Sequence, residues 1–446
     1  MALHRILVIG GGFGGVYTAL ELEKRLKNDP GVDITLTSHD NFFLFTPMLH
    51  EVAASDLDLT TIVNPIRKML RKVNFVAGEI QSIDLENRKV KVLHGLDRHE
   101  HVQEFDQIVL SLGCTTNFFG IPGLEEHAIT MKSLEDAVNL RNRMIAMLEE
   151  ADTECGEKIR KPLLTIVTAG GGFAGVETLA SINDFLRESL KFYRNIKDSD
   201  LRIVLVHPGD VILPELGPEL GAYAQKKLKE RGVEVLTETR VTGYDGRVVA
   251  LNNGMNIESR TLIWTAGTTP HMMLNSLPCK NEKGRLVVNA NLEVEARPGV
   301  WALGDCAIVP DLTTGGVCPP TAQHALRQAR TLAKNIIAFR RGEPTQPFKF
   351  KTIGQLASIG HRTGVARVFG VNFSGFIAWW MWRTIYLSKL PRFEKKVRVA
   401  LDWSLDLLFS KDLVQFINFG EHGMKQIKRL QTSEGPKDIS AQATQA

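Results

Sequence analysis

Two glycine clusters carry the spacing that lets a backbone lie against a diphosphate. Residues 10 to 15, Gly10-Gly11-Gly12-Phe13-Gly14-Gly15, read G-x-G-x-x-G, and Gly170, Gly172 and Gly175 repeat the spacing within GGGFAGVE. The first glycine of such a set permits a tight turn, the second lets the backbone approach a pyrophosphate, and the third lets helix and strand pack closely. A helix that starts there aims its free N–H groups and the positive end of its dipole at the phosphates. One such turn could equally serve packing alone. Two of them, each framed by a strand and a helix, point to two bound dinucleotides, one held as cofactor and one exchanged as substrate, for which FAD and NAD(P)H are the simplest pair.

The second strand of each unit ends where a ribose would lie, about 20 residues on, and an acidic residue usually stands there. Here ITLTSHDN puts Ser38 at the first strand end, with Asp40 as the nearest carboxylate, and IVLVHPGD puts His207 at the second. Without a carboxylate to repel a 2′-phosphate at that position, the choice between NADH and NADPH stays open.

The elements that must position these turns follow from the apolar runs. LHRILVIG at 3 to 10, a helical run VYTALELEKRL and the strand Val32 to Thr37 make one β-α-β unit. LLTIVT at 163 to 168, a helix through Leu186 and the strand Leu201 to Val206 make the second. QIVLSLGCTT (107 to 116) and TLIWTAGTTP (261 to 270) read as strands that hand the chain from one unit to the other. GVWALGDCA at 299 to 307, followed by Pro319, Pro320 and a helix from Thr321 to about Phe339, is expected to return to the first unit. The fold class is therefore α/β, with two Rossmann-like dinucleotide-binding domains and a C-terminal membrane-associating α segment. The expected limits are 1–118 with 290–370 for the FAD domain, 119–289 for the NAD(P)H domain, 371–430 for the C-terminal surface region and 431–446 for a disordered tail.

Bulk properties exclude several classes. A chain of 446 residues with 43% hydrophobic content can fill two or three domain cores. Lys+Arg 54 against Asp+Glu 50 leaves +4, too weak for a nucleic-acid footprint over the whole chain. The five cysteines form no C-x-x-C pair, zinc spacing or secreted framework, which fits a reducing compartment. The N-terminus runs straight into the first strand with no room for a signal peptide, and no stretch reaches about 18 apolar residues, the length of a membrane-spanning helix. His94, His99 and His101 cluster in a polar hairpin and read as solvent-exposed; no metal site is expected.

GGGFGGVYTA at 10 to 19, NFFLFTPMLHEVA at 41 to 53, GGGFAGVE at 170 to 177, TAGTTP at 265 to 270, ALGDCA at 302 to 307 and PPTAQHA at 319 to 325 together resemble the type II NADH:quinone oxidoreductases, single-subunit flavoenzymes of the respiratory chain. The resemblance implies an FAD-dependent NAD(P)H dehydrogenase that does not pump protons and passes electrons to a membrane quinone. It places Asp305, with Gly304, on the ribityl chain or phosphates of FAD, and the Phe45 to Met48 segment, including Thr46 and Pro47, along the isoalloxazine ring. Phe13, Gly14 and Gly113 join that cofactor set, while Phe173, Ala174 and Gly267 join the nicotinamide set. Glu177 matches an acid beside the two rings. Ala322 and Gln323 match the start of the quinone-site pattern A-Q-x-A-x-Q; Arg327 stands where its second glutamine belongs, with Gln328 one residue later. No redox-active cysteine pair lies within 41 to 54, so electrons are expected to leave the flavin directly for quinone.

The last part changes character. FSGFIAWWMWRTIYL at 373 to 387 holds three of the six tryptophans, and Arg383, Lys389, Arg392, Lys395, Lys396 and Arg398 follow with few acids to oppose them. VALDWSLDLLF places Leu401, Leu405 and Leu408 on one face and Asp402 and Asp406 opposite. This pattern predicts peripheral attachment to the cytoplasmic side of a membrane; a homodimer interface or a helix docked on the core would use the same residues. Among rival functions, a sulfide:quinone oxidoreductase would depend on cysteines such as Cys155 and Cys318, and has no need of the second glycine turn. A nicotinamide-sensing flavoprotein would show little turnover.

Overall fold

The structure is a computed structural model and describes residues 3–406 and 408–415. The first strand, β1 (His4–Ile9), runs into α1 (Phe13–Leu26) and returns through β2 (Val32–Ser38). The short helix α2 (Leu49–Ala53) follows, then β3 (Asn74–Ala77), an antiparallel meander over 79–104, and β4 (Gln107–Leu110). The chain crosses on β5 (Cys114–Thr116) to β6 (Ile129–Thr130) and the long helix α3 (Leu134–Thr153), whose N-terminus is closed by a Ser133–Asp136 capping box.

The second unit repeats the first. It comprises β7 (Thr165–Ala169), α4 (Phe173–Ser189), β8 (Arg202–Val206), β9 (Val233–Leu236) and β10 (Thr261–Trp264). The chain crosses back on β11 (Thr268–Pro270), which pairs antiparallel with β5, so the two handover strands form one ribbon. Then β12 (Val300–Ala302) adds to β4 and α5 (Ala322–Arg341) lies along α1, capped at its start by Thr321. Both main sheets are parallel and five-stranded, ordered β12-β4-β1-β2-β3 and β6-β10-β7-β8-β9. Their strands, ILVI, IVTA and IVLV among them, are apolar on both faces because helices and other segments cover both sides of each sheet.

The C-terminal part differs from expectation in two respects. A three-stranded antiparallel sheet, β13 (Gly354–Ser358), β14 (Gly364–Val368) and β15 (Val371–Ser374), straddles residue 370, so a boundary at 370/371 would cut between paired strands. The helices α6 (Gly375–Lys389) and α7 (Phe393–Leu405) then pack inward through Ala378, Trp382, Val399 and Trp403. The basic run is also less free than its sequence implies: Arg383 lies between the Trp379 and Trp403 rings, Lys395 is buried on the Thr60 carbonyl, and Arg392 pairs with Glu394 at 2.9 Å. What stays exposed is an apolar face with Phe376, Ile377, Trp380, Phe393, Val397, Leu401 and Leu405. Leu408 is exposed too, beyond the end of α7. No helix among the described residues is long and apolar enough to cross a membrane. The expected tail, 431–446, lies outside the described residues.

Candidate active site

Both glycine turns have the same internal construction. Gly10 and Gly170 take φ of +104° and +115°, conformations that only glycine adopts without strain, and their N–H groups bond the Thr37 and Val206 carbonyls at 2.8 and 2.9 Å. A Cβ on Gly15 would collide with the Gly10 carbonyl oxygen, and one on Gly175 with that of Gly170. The second glycines are different: no protein atom lies within 4 Å of where a Cβ would stand on Gly12 or Gly172. Open space over the middle glycine, between two crowded ones, is the cradle a pyrophosphate requires, so the residues present fit a dinucleotide at each turn. The hydroxyls of Ser111 and Thr265 support the turns from behind, donating to the Ile9 and Ala169 carbonyls at 2.5 and 2.8 Å. Sequence reading missed this pair, although each stands just past the end of a main-sheet strand, β4 or β10.

Two of the residues at the strand ends lie against the glycine turns. Ser38 is buried, and its hydroxyl fills the space behind Gly11, while Asp40 is exposed beside His39. His207 Nδ1 accepts the Gly171 N–H at 3.1 Å, and burial lowers the pKa of the imidazole, so the ring stays neutral and braces the turn from below. Beside this turn a cavity of about 400 Å³ is lined by Gly170, Val206, Pro208, Arg240, Trp264 and Phe119. Gly267 packs against the Phe119 ring, where a side chain would not fit. Phe173 is half-buried and Ala174 exposed at the start of α4.

At the other end of the first turn, aromatic rings gather. Phe13 meets Phe43 edge-on at 4.9 Å and Phe45 at 5.9 Å; Phe45 in turn meets Tyr386 at 6.3 Å. Thr46 is exposed and Pro47 half-buried on the short turn that follows. Gly304, at φ +66°, donates its N–H to Gln328 Oε1 at 2.8 Å, and Asp305 accepts from the Cys114 thiol at 2.7 Å. Gly113, at φ +70°, donates to Cys306 Sγ at 3.0 Å.

Glu177 is buried on α4 and accepts two hydrogen bonds on Oε1, from the Ser358 N–H at 3.0 Å and the Trp382 indole at 2.9 Å. Desolvation outweighs both donors and pushes its pKa up to about 8. The two polar residues assigned to a quinone are engaged elsewhere. The Gln323 amide donates to the Gly354 carbonyl at 3.0 Å and accepts from the Ile353 N–H at 3.1 Å, latching α5 to β13. The Arg327 guanidinium lies over the Phe350 ring at 4.2 Å and donates to the Gln323 carbonyl. Ala322 is half-buried in the first turn of α5.

Sequence reading also missed a second buried acid. Glu51, on α2, accepts the Trp403 indole at 3.1 Å and is pushed up to about 8 by burial. Its neighbour His50 is driven down to about 3 by burial and packs edge-on against Trp382 at 5.4 Å. The available signal was the HEVA segment itself, which places two ionisable residues in an otherwise apolar run.

Comparison with known proteins agrees with this geometry. Residues 4–329 match the pyridine nucleotide-disulphide oxidoreductase family, and residues 353–412 match the NDH2 C-terminal domain. The chain is 30% identical over 424 residues to the type II NADH:quinone oxidoreductase Ndh of Mycobacterium tuberculosis, covering 92% of this chain and 89% of the relative. It is 33% identical over 410 residues to the demethylphylloquinone reductase NdbB of Synechocystis, covering 90% and 96%. NDH2 from Plasmodium falciparum, solved in complex with NADH, superposes with a TM-score of 0.85 over 92% of this chain and 99% of that one, at 20% identity. A chain with two such dinucleotide turns, one match spanning most of its length and a second covering its C-terminal part belongs to the pyridine nucleotide-disulphide oxidoreductases and, within them, to the type II NADH:quinone oxidoreductases.

Proposed function

We propose that this chain oxidises NADH and reduces a quinone, with FAD held on the first glycine turn and NADH on the second. The observation that carries this reading is the pair of cradles over Gly12 and Gly172, built alike on two parallel sheets joined by one ribbon. FAD, when bound, accepts two electrons from the nicotinamide and gives them up to the quinone.

The chain's own residues bind, orient and handle protons. Gly10, Gly12, Gly14 and Gly15 with the N-terminus of α1 would take the FAD diphosphate, and Asp305, Gly304, Gly113, Phe13, Thr46 and Pro47 the ribityl and ring portions. Gly170, Gly172, Gly175, Phe173, Ala174 and Gly267 would take the nicotinamide dinucleotide. Glu177, fixed by Trp382 and Ser358, is a carboxyl that stays largely protonated at neutral pH and is poised to hold a proton near the site. Gln323 and Arg327 would shape the quinone side through α5, a positioning role that their bonds to Gly354, Ile353 and the Phe350 ring support. With this assignment the FAD domain would comprise 1–118 with 290–353 and the NADH domain 119–289, the sheet over 354–374 belonging with α6 and α7.

The same reading attaches the chain to a membrane surface through the exposed apolar face of α6 and α7, on the cytoplasmic side, with a homodimer as the other use of that face. Stopped-flow absorbance tests the central claim. NADH should bleach the bound flavin and a short-chain quinone should restore the colour, with sulfide producing neither change. A purified chain that is colourless and takes up no FAD would overturn it.

A further inference from the structure

Reducing a quinone takes two electrons and two protons, whereas NADH delivers two electrons and one proton as hydride. One more proton must enter from water for every quinol made. The exposed apolar face of α6 and α7 suits lipid, so that side offers no aqueous entry. A proton needs a polar route through the other packed elements.

Buried polar groups gather at the junction of α2, α4, α6 and α7. Glu177 and Glu51 stand on adjacent helices, each accepting one buried indole, Trp382 from α6 and Trp403 from α7. The Glu51 carboxyl is near enough for its charge to disfavour ionisation of Glu177. Next to Glu51, His50 packs on the Trp382 ring, and its Nε2 is buried with no hydrogen-bond partner, a polar atom of the kind internal water satisfies. Beyond Glu51 the chain turns, the Asp56 N–H bonding the Glu51 carbonyl at 2.8 Å. The Asp56 carboxylate meets Lys411 Nζ at 2.5 Å, and the same ammonium lies 3.5 Å from Glu188, whose side chain is 48% exposed. Arg383 and Asp406 complete the charged groups around this line: Arg383 faces Glu51 and Asp56, and Asp406 faces Asp56 and Lys411.

We propose that Glu51 and Asp56 carry the second proton of quinone reduction from Glu188 at the surface to Glu177, with Lys411 holding the outer two carboxylates together. The inference rests on the quinone-reducing function proposed above. Each carboxyl in turn accepts a proton from its outer neighbour and releases one to its inner neighbour, so the route ends as it began, with one proton consumed from solvent per quinol. Burial supports the direction, Asp56 being raised to about 6 and the inner pair to about 8, so protons reside preferentially at the inner end.

The flavin-loaded Glu51→Gln and Asp56→Asn variants test the route, the second keeping an acceptor for Lys411. Flavin bleaching by NADH should match the unaltered protein, and so should reoxidation by ferricyanide, which takes electrons without protons. Reoxidation by a short-chain quinone should slow by roughly 100-fold, at the low end of what positioned proton transfer contributes. It should also show a larger solvent isotope effect and a flattened profile between pH 6 and 9. Quinone and ferricyanide rates that stay unchanged, or that fall together in both variants, would overturn the route while leaving the function intact. An unaltered protein that quinone cannot reoxidise would instead remove the function on which the route rests.

Discussion

At the scale of single residues, the glycine turns separate binding from folding. Gly15 and Gly175 each face a carbonyl oxygen that a methyl group would strike, whereas Gly12 faces nothing in the protein. Gly12→Ala should therefore fold and melt close to the unaltered chain yet emerge with little flavin, read as the ratio of 450 nm to 280 nm absorbance. Gly15→Ala should lower the melting temperature as well, because the helix must shift off the strand. Equal melting losses in both would contradict this division. These turns were legible in the sequence because their whole logic lies within six consecutive residues. The hydrogen bond of His207 was not legible for the opposite reason: Gly171 and Gly209 both pack close to its ring, and strand-end position says nothing of which way a side chain turns. Gln323 matched a motif, but its amide bonds to residues thirty positions on, so motif position did not reveal its partners.

At the scale of elements, both β-α-β units and the return of residues 299–341 to the first sheet followed from apolar runs and turn signals. The docking of α6 and α7 did not. The indole of Trp403 reaches Glu51 across 352 positions, and that of Trp382 reaches Glu177 across 205, so the aromatic cluster read as a membrane-surface segment while its inner members are wedged in the core. This docking has a consequence for stability. In the folded chain Glu177 ionises near 8 against 4.5 when free, so the folded state holds the proton more tightly than the unfolded one. The stabilising contribution is then complete below about 4.5 and is lost as pH rises through 8, by at most about 1.4 kcal/mol per pH unit. Glu177→Gln, which still accepts an indole hydrogen bond, should lose less melting temperature than the unaltered protein between pH 5 and 9. Parallel pH dependences would show that packing of α4 against α6 tolerates the charge.

At the scale of the whole molecule, the buried and exposed halves of the C-terminal helices divide the labour. Trp382, Val399 and Trp403 fix α6 and α7 to the core, and their outer surface is left with Trp380, Phe393, Val397 and Leu401 exposed, beside the outward cations Lys389 and Arg398 and the half-exposed Lys396. Aromatic and aliphatic groups flanked by cations suit the boundary of an anionic bilayer, where apolar burial and charge attraction add. The inward turn of Arg383 and Lys395 trims the charge available for that purpose, so the three outer cations should account for most of the electrostatic part. At about 1 kcal/mol for each attraction lost, and with repulsion added, reversing Lys389, Lys396 and Arg398 to glutamate should weaken partitioning onto anionic liposomes by at least roughly 100-fold at low salt. Binding to neutral liposomes, which rests on the apolar face, should change far less, whereas Trp380→Ser with Leu401→Ser should reduce both. If instead the charge reversal left flotation with anionic vesicles untouched and the serine pair turned a sedimenting dimer into a monomer, the exposed face would belong to a second copy of the chain.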